Sequence, residues 1–250
     1  MVCWAVCIPP GDRMASILNK LPWFKAPHPL IARNREAFDR FDQSRPLDEY
    51  TFVVCDTELT GLNRRRDEII SIGAVMIRNL QIDLSTSFHS YIRPDNLEHT
   101  RATLVHRITP EQLEVAPPLN EVLPAFVEFL GTSLLVGHHV ALDMTFLNQA
   151  AKRVLGATLA NPGVDTMRMA QGYRRVLLGQ YHQQGESQTG YSLEALSREY
   201  RLPLFRSHDA FEDAMQTAYL FLFLLKKFRK GGLLTLKDIY QAGRVGSLRY

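Results

Sequence analysis

Asp56, Thr57 and Glu58 follow directly on an apolar run, Phe52-Val53-Val54-Cys55. Residues two apart in an extended chain project to the same face. The Asp56 and Glu58 carboxylates can therefore aim at one point. Another acid, Asp143, comes after Gly137-His138-His139-Val140-Ala141-Leu142, where a short apolar stretch ends at a glycine and a helical pattern begins. A third group is Ser207-His208-Asp209-Ala210-Phe211-Glu212-Asp213-Ala214. His208 and Asp213 are five positions apart, which is about 140° around a helix. They converge only if His208 lies in the loop before that helix. Each piece also has an ordinary reading: solvated acids at a strand end, an acid set against a helix macrodipole, or a cap followed by an exposed helix acid. Brought together, four carboxylates cannot stay ionised without cations. Divalent metals with a preference for oxygen ligands relieve that repulsion. An imidazole, which ordinarily titrates near neutrality, suits removal of a proton from water. The chemistry such a set can do is metal-assisted hydrolysis.

The surrounding pattern supplies elements to position these groups. The run at 52–55 reads as a buried strand ending at Asp56, with a turn marked by Gly61 and Asn63. Residues 68–77 read as a second strand, with Ile70, Ile72 and Ala74 alternating against Ser71 and Gly73. Residues 86–92 read as a third, closed by Pro94. Three strands with short connections predict an antiparallel meander. Leu119, Val122, Leu123, Phe126, Phe129 and Leu130 then follow helical spacing, and Gly131 stops that helix. A strand at 133–137 and helices at 142–155 and 166–178 come next. Residues 180–190 form a polar loop, Ser192 is a helix N-cap, and a long helix covers 209–230. Strands followed by strands alternating with helices predict an α/β domain with a mixed sheet flanked by helices. Open α/β sheets bind ligands at their strand ends, where the acids fall.

The 250 residues carry 29 Lys+Arg and 26 Asp+Glu, a net charge of +3. That is too small to argue for nucleic acid alone, and it permits a local basic patch. The composition excludes collagen, coiled coil and wholesale disorder. Residues 1–48 read as an N-terminal extension, either an ordered arm or a flexible tail, with one short helix near 34–42. The domain proper is expected over 49–232 and a C-terminal tail over 233–250. The longest apolar run, 218–225, is eight residues long, against about 20 for a membrane span. No positive segment precedes the apolar first ten residues, so no signal peptide is expected, and Met14 is an equal candidate for the start. Cys3, Cys7 and Cys55 make no disulfide framework, and Cys3 and Cys7 lack partners at zinc spacing. The expected setting is a reducing cytoplasm.

Together the three acidic pieces resemble the motifs of the DEDD exonuclease superfamily, in the branch whose fifth residue is histidine (DEDDh, DnaQ-like). The likeness covers about residues 50–230, in the family's order. DTELTGL at 56–62 resembles the first motif, often DTETTGL. HRITPEQL at 106–113 looks like the family's H-x-I-T-x-x-x-L linker. Residues 136–147 resemble the second motif and HDAFEDA at 208–214 the third, and Val164-Asp165-Thr166 is similar to a short family signature. The core resembles the proofreading subunit of bacterial replicative DNA polymerase. Two positions depart from the pattern: His139 stands where the family often has Asn, and Leu142 where it often has Phe. No clamp-binding segment is evident. The chain ends at Tyr250 without the longer tail of proofreading members, which favours a stand-alone enzyme.

The resemblance implies a ribonuclease H-like fold and a two-metal 3′–5′ exonuclease site. Its catalytic residues are Asp56, Glu58, Asp143, His208 and Asp213. The four acids hold two Mg²⁺ ions, with Mn²⁺ able to substitute. Asp56 bridges both metals, Glu58 and Asp213 hold the metal that carries the attacking water, and Asp143 acts mainly through a water shell. His208 is the general base, and the product is a 5′-mononucleotide. Thr57, Leu59, Thr60 and Leu62 are the expected contacts to the terminal nucleotide, with His138, His139 and Phe146 flanking it. Turn packing for Leu59 and Leu62, and a core role for His138, His139 and Phe146, fit the same residues. Arg64-Arg65-Arg66 fits both a phosphate-tracking loop and a solvated basic turn. The first reading of the substrate is single-stranded DNA 3′ ends. An exoribonuclease, a polymerase proofreading subunit and an inactive nucleic-acid-binding scaffold are the alternatives. The intact set of five argues against the scaffold, since a dead copy is free to lose one.

Overall fold

In the computed structural model, which describes residues 27–95, 107–179 and 188–243, the first strand does not stop at Asp56. Strand β1 (Phe52–Leu59) carries Asp56, Thr57 and Glu58 inside it. The reason is pairing. Antiparallel strand β2 (Ile69–Arg78) continues the ladder, with Asp56 opposite Gly73, Thr57 opposite Ile72 and Glu58 opposite Ser71, before a bulge at Leu59. The third strand is longer than its pattern suggests. β3 (Gln81–Tyr91) joins β2 through a tight turn in which Asn79 and Leu80 have φ of 50° and 57°. Such two-residue turns usually signal themselves with Asn-Gly, and Asn-Leu hides this one.

β4 (Leu134–Gly137) pairs parallel to β1, and β5 (Gly163–Asp165) parallel to β4. The order β3-β2-β1-β4-β5 is the expected mixed sheet. α3 (Leu119–Leu130) ends at Gly131, φ 49°, as its sequence predicts. α2 (Pro110–Glu114) precedes it, and α4 (Ala141–Leu155) follows β4. The helix expected at 166–178 splits into α5 (Thr166–Gly172) and a π-helical stretch, Tyr173–Leu177. Then come α6 (Leu193–Glu199), capped by Ser192 as expected, α7 (Ala210–Lys230) and α8 (Leu236–Gly243).

Both faces of β1 and β2 are buried, so the alternation expected in β2 is absent: every residue from Ile69 to Ile77 is buried. Helices cover each face, which makes central strands apolar throughout. Phe52, Val54, Val75 and Leu134 pack with α7, α5 and α8. Val53, Cys55, Ile72 and Leu135 pack with α3 and α4. Phe52 meets Phe221 edge-on at 4.9 Å between ring centroids, a contact adding about 1 kcal/mol beyond area burial.

The short N-terminal helix is α1 (Pro29–Phe38), earlier than the expected 34–42. Proline suits a first helical position, and the His28 side chain accepts from Leu30 N at its start. Residues 27–48 are an ordered arm. Ile31 is fully buried. Asn34 Nδ2 donates to Gly131 O and to Asn161 Oδ1. The arm also clasps the C-terminal part: Leu47 N donates to Leu234 O and Lys237 N to Gln43 O. Cys55 is a buried free thiol. Cys3, Cys7, His106 and most of the polar loop lie outside the described residues. No helix among the described residues is long and apolar enough to cross a membrane.

α7 lies across β1 and β2, presenting the buried alanines 210, 214 and 218 at intervals of four. The approach is so close that a Cβ added to Gly73 would stand 2.2 Å from the backbone of Ala210 and Phe211. Gly73→Ala therefore drives α7 off the sheet. We expect a loss of about 3 kcal/mol, read as a lower urea midpoint at unchanged m-value; an unshifted midpoint would refute the close approach.

Candidate active site

The period of two along β1 sorts its side chains. Asp56 and Glu58 share a face with Phe52 and Val54, the side of α7, while Thr57 shares the face of Val53 and Cys55, the side of α4. Asp213 stands in the first turn of α7. Carboxylate oxygens of Asp56, Glu58 and Asp213 all lie within 4.8 Å of one another. Asp143, in the first turn of α4, belongs to the same neighbourhood through Thr57. Its Oδ1 accepts from Thr57 N at 3.1 Å and Thr57 Oγ1 at 2.6 Å. Thr57, expected at the terminal nucleotide, is thus the residue that fixes the fourth acid.

His208 does lie in the loop before α7, as convergence with Asp213 requires. Its backbone takes φ 67° and its N–H donates to Asp213 Oδ2 at 2.9 Å. The imidazole is exposed. Asp209 is the helix cap, accepting from Phe211 N and Glu212 N. One hydrogen bond thus ties the candidate base to a candidate metal ligand.

The electrostatics are those of acids held together. Burial, then repulsion from Asp143, Asp213 and Glu58, drives the Asp56 carboxyl well above the usual range. Burial and repulsion from Asp213 push Glu58 up to about 7. Burial raises Asp143 to about 7 against the pull of the Thr57 hydrogen bonds. Asp213 is raised by burial and held back by His208 N–H. No ion pair with Lys or Arg reaches any of the four among the described residues. Oxygen donors this close, with no protein cation between them, fit a divalent metal.

The remaining expected contacts divide. Leu62 is 73% exposed, and His139 is exposed, with φ 62°. Thr60 is half-buried and accepts from Glu68 N. Leu59 and Phe146 are buried in the core beside α4. His138 is held at both ring nitrogens, by Thr166 Oγ1 at 2.9 Å and Tyr191 O at 2.8 Å. Burial lowers it to about 4, so it is a neutral strut. Arg64, Arg65 and Arg66 are exposed in the turn after β1, where Arg66 Nε is 3.8 Å from Asp67. Sequence reasoning assigned no role to Asp165 and Thr166. Asp165 Oδ1 accepts from His139 N and Met167 N, and Thr166 Oγ1 lies 3.2 Å from Gly137 O while it meets the His138 ring. They hold the segment leading to Asp143, and the Val164-Asp165-Thr166 signature was their only trace. His139 itself takes left-handed backbone, φ 62°. His, like Asn and Asp, adopts that conformation more readily than most residues.

The RNase_T exonuclease profile matches residues 53–221. DNA polymerase III PolC-type from Thermotoga petrophila is 35% identical over 189 residues, which are 76% of this chain and 13% of that protein. The chain thus spans about an eighth of that relative's length. Among solved structures, Exonuclease X in complex with 5′ overhanging duplex DNA superposes with a TM-score of 0.55 at 23% identity, covering 77% of this chain and 99% of that one. The nuclease domain of 3′hExo, a DEDDh family member bound to rAMP, gives 0.59 at 17% identity over 74% and 94%. The ribonuclease H-like fold expected from the motifs is the fold observed.

The raised acids set a pH dependence. Unfolded carboxyls ionise near pH 4, while Glu58 and Asp143 retain protons to about 7. Between those values the folded chain binds more protons than the unfolded one, so this contribution to stability is full below about pH 4 and is lost as pH rises through about 7. In EDTA, Tm should fall between about pH 5 and 7.5 more steeply for the native chain than for Glu58→Gln. Added Mg²⁺ should raise Tm more at the upper pH. Equal slopes for the two proteins would contradict the raised values.

Proposed function

The chain belongs to the RNase_T exonuclease family, among the DnaQ-like 3′–5′ exonucleases, and from that premise we propose that it hydrolyses the terminal phosphodiester of single-stranded DNA to release 5′-mononucleotides. The observation that carries this reading is the convergence of Asp56, Glu58 and Asp213 within 4.8 Å, with His208 tied to Asp213. Two divalent cations, Mg²⁺ by preference for oxygen donors, would be held by Asp56, Glu58, Asp143 and Asp213 and supply charge stabilisation to the attacking and leaving oxygens.

The chain's own groups do the rest. His208 accepts the proton of the attacking water, and its exposed ring is free to reach a substrate. Its left-handed backbone is fixed by Asp213, so base and ligand keep one spacing. Thr57 holds Asp143 in place from the opposite face of β1. Exposed Leu62 and His139, with Thr60, are the contacts we retain for the terminal nucleotide. Leu59, His138 and Phe146 we assign to supporting that surface from within. The PolC-type relative favours DNA over RNA. It also favours a second reading, in which this activity serves a polymerase as its proofreading exonuclease.

The test uses 5′-labelled single-stranded DNA and RNA of one sequence. We expect a ladder shortening from the labelled strand's 3′ end with Mg²⁺ or Mn²⁺, faster on DNA, and none with EDTA or with Asp56→Ala. His208→Ala should lower kcat by about 10²–10⁴-fold and leave metal affinity near its original value. Endonucleolytic products, or no cleavage with either metal, would overturn the reading; faster loss of RNA would make it an exoribonuclease.

A further inference from the structure

His208 also borders a second hollow. A cavity of about 110 Å³ is walled by Ser71, Tyr91, Arg107, Gln112, Arg206 and His208. Its two arginines are exposed. Neither the Arg107 nor the Arg206 guanidinium makes a hydrogen bond or ion pair among the described residues. The one acid on the wall, Asp209, caps α7, its Oδ1 accepting from the Phe211 and Glu212 N–H groups. Ser71 is 1% exposed, and its hydroxyl has no partner. Buried hydroxyls are nearly always hydrogen-bonded, so this one is left for something that the cavity receives.

The backbone at both arginines is fixed. Arg107 takes φ 59° at the approach to α2, whose start is locked by a reciprocal Thr109–Gln112 capping box. Arg206 N donates to Glu212 Oε2. Ser71 sits directly opposite Glu58 across the β1–β2 ladder. The hollow therefore begins one strand away from a candidate metal ligand and shares a wall with the candidate base.

We propose that this cavity binds an uncleaved phosphate of the nucleic-acid strand, the one neighbouring the scissile linkage, through Arg107, Arg206 and the Ser71 hydroxyl. The proposal rests on the exonuclease reading above. Guanidinium groups match phosphate oxygens with paired hydrogen bonds. A hollow of this size admits a phosphate group. Contacts to phosphate carry no sequence information but set the register of the strand. The site therefore grips the strand one linkage back and presents the last linkage to the acids, whatever the sequence.

The test is a binding cycle in EDTA, using a fluorescein-labelled single-stranded DNA heptamer with one methylphosphonate placed at each linkage in turn. The proteins are the native chain, the double variant Arg107→Ala/Arg206→Ala, and Ser71→Ala. The double variant should bind the unmodified strand about tenfold or more weakly, with the slope of log affinity on log salt shallower by about one to two. Neutralising the second linkage from the 3′ end should weaken the native chain and leave the double variant unmoved, while other linkages penalise both alike. Ser71→Ala should give a smaller loss at that same linkage, in a protein that leaves Arg107 and Arg206 in place. Equal penalties at every linkage in all three proteins, with native binding and cleavage intact, overturn this site alone. A native chain that neither binds nor cleaves the strand overturns the exonuclease reading and this site with it.

Discussion

Like charges repel, and the acids on β1, α4 and α7 are collected where burial strips away part of their screening water. Nothing in the side chains themselves favours that arrangement. The rest of the fold supplies the force that imposes it. The β1–β2 ladder runs past Asp56 and Glu58 rather than fraying there. α7 is seated so closely that only glycine fits beneath it at position 73. On the α4 side of the sheet, Thr57 holds Asp143. His139 and His208 accept left-handed backbone, a conformation that costs free energy in a non-glycine residue. These features recur around one cluster because the cluster opposes its own assembly.

The acids were legible in the sequence because their spacing is local. A carboxylate two residues from another on a strand, or one at the start of a helix, is a short-range pattern. So were the caps: Ser192, Gly131 and the entry into α7 fall where their residue types predict. The hydrogen bond between Thr57 and Asp143 spans 86 residues, and no local pattern announces it. Burial was left open for a related reason. Leu59, His138 and Phe146 fitted both a nucleotide contact and a packing role, and it is neighbours from distant segments that enclose them. Strand β2 shows the same effect, since its alternation is overridden when a helix layer covers each face. The hairpin at Asn79-Leu80 was hidden for the opposite reason, because its sequence lacks the usual glycine while its neighbours still force the turn.

Support for the site reaches far from it. Asp165 and Thr166, at the end of β5, brace the loop that leads into α4. His138, held at both nitrogens, joins that loop to the turn before α6. Further out, Asn34 on the N-terminal arm ties together the ends of α3 and the approach to β5. The arm and the C-terminal helix close on each other at Leu47 and Leu234. Segments that look peripheral by composition thus complete the two cores on which the acids rest.

The order of these parts along the chain has a consequence for biosynthesis. Of these residues Asp56 and Glu58 leave the ribosome first, Asp143 much later, and His208 and Asp213 last. β1 gains its parallel neighbour β4 only after some eighty residues have been added, and closing such long loops is slow. An unfinished chain therefore carries half a site, in a sheet that has not formed, surrounded by messenger and ribosomal RNA. A chain halted before α7 lacks His208 and Asp213, and with them one side of the candidate site.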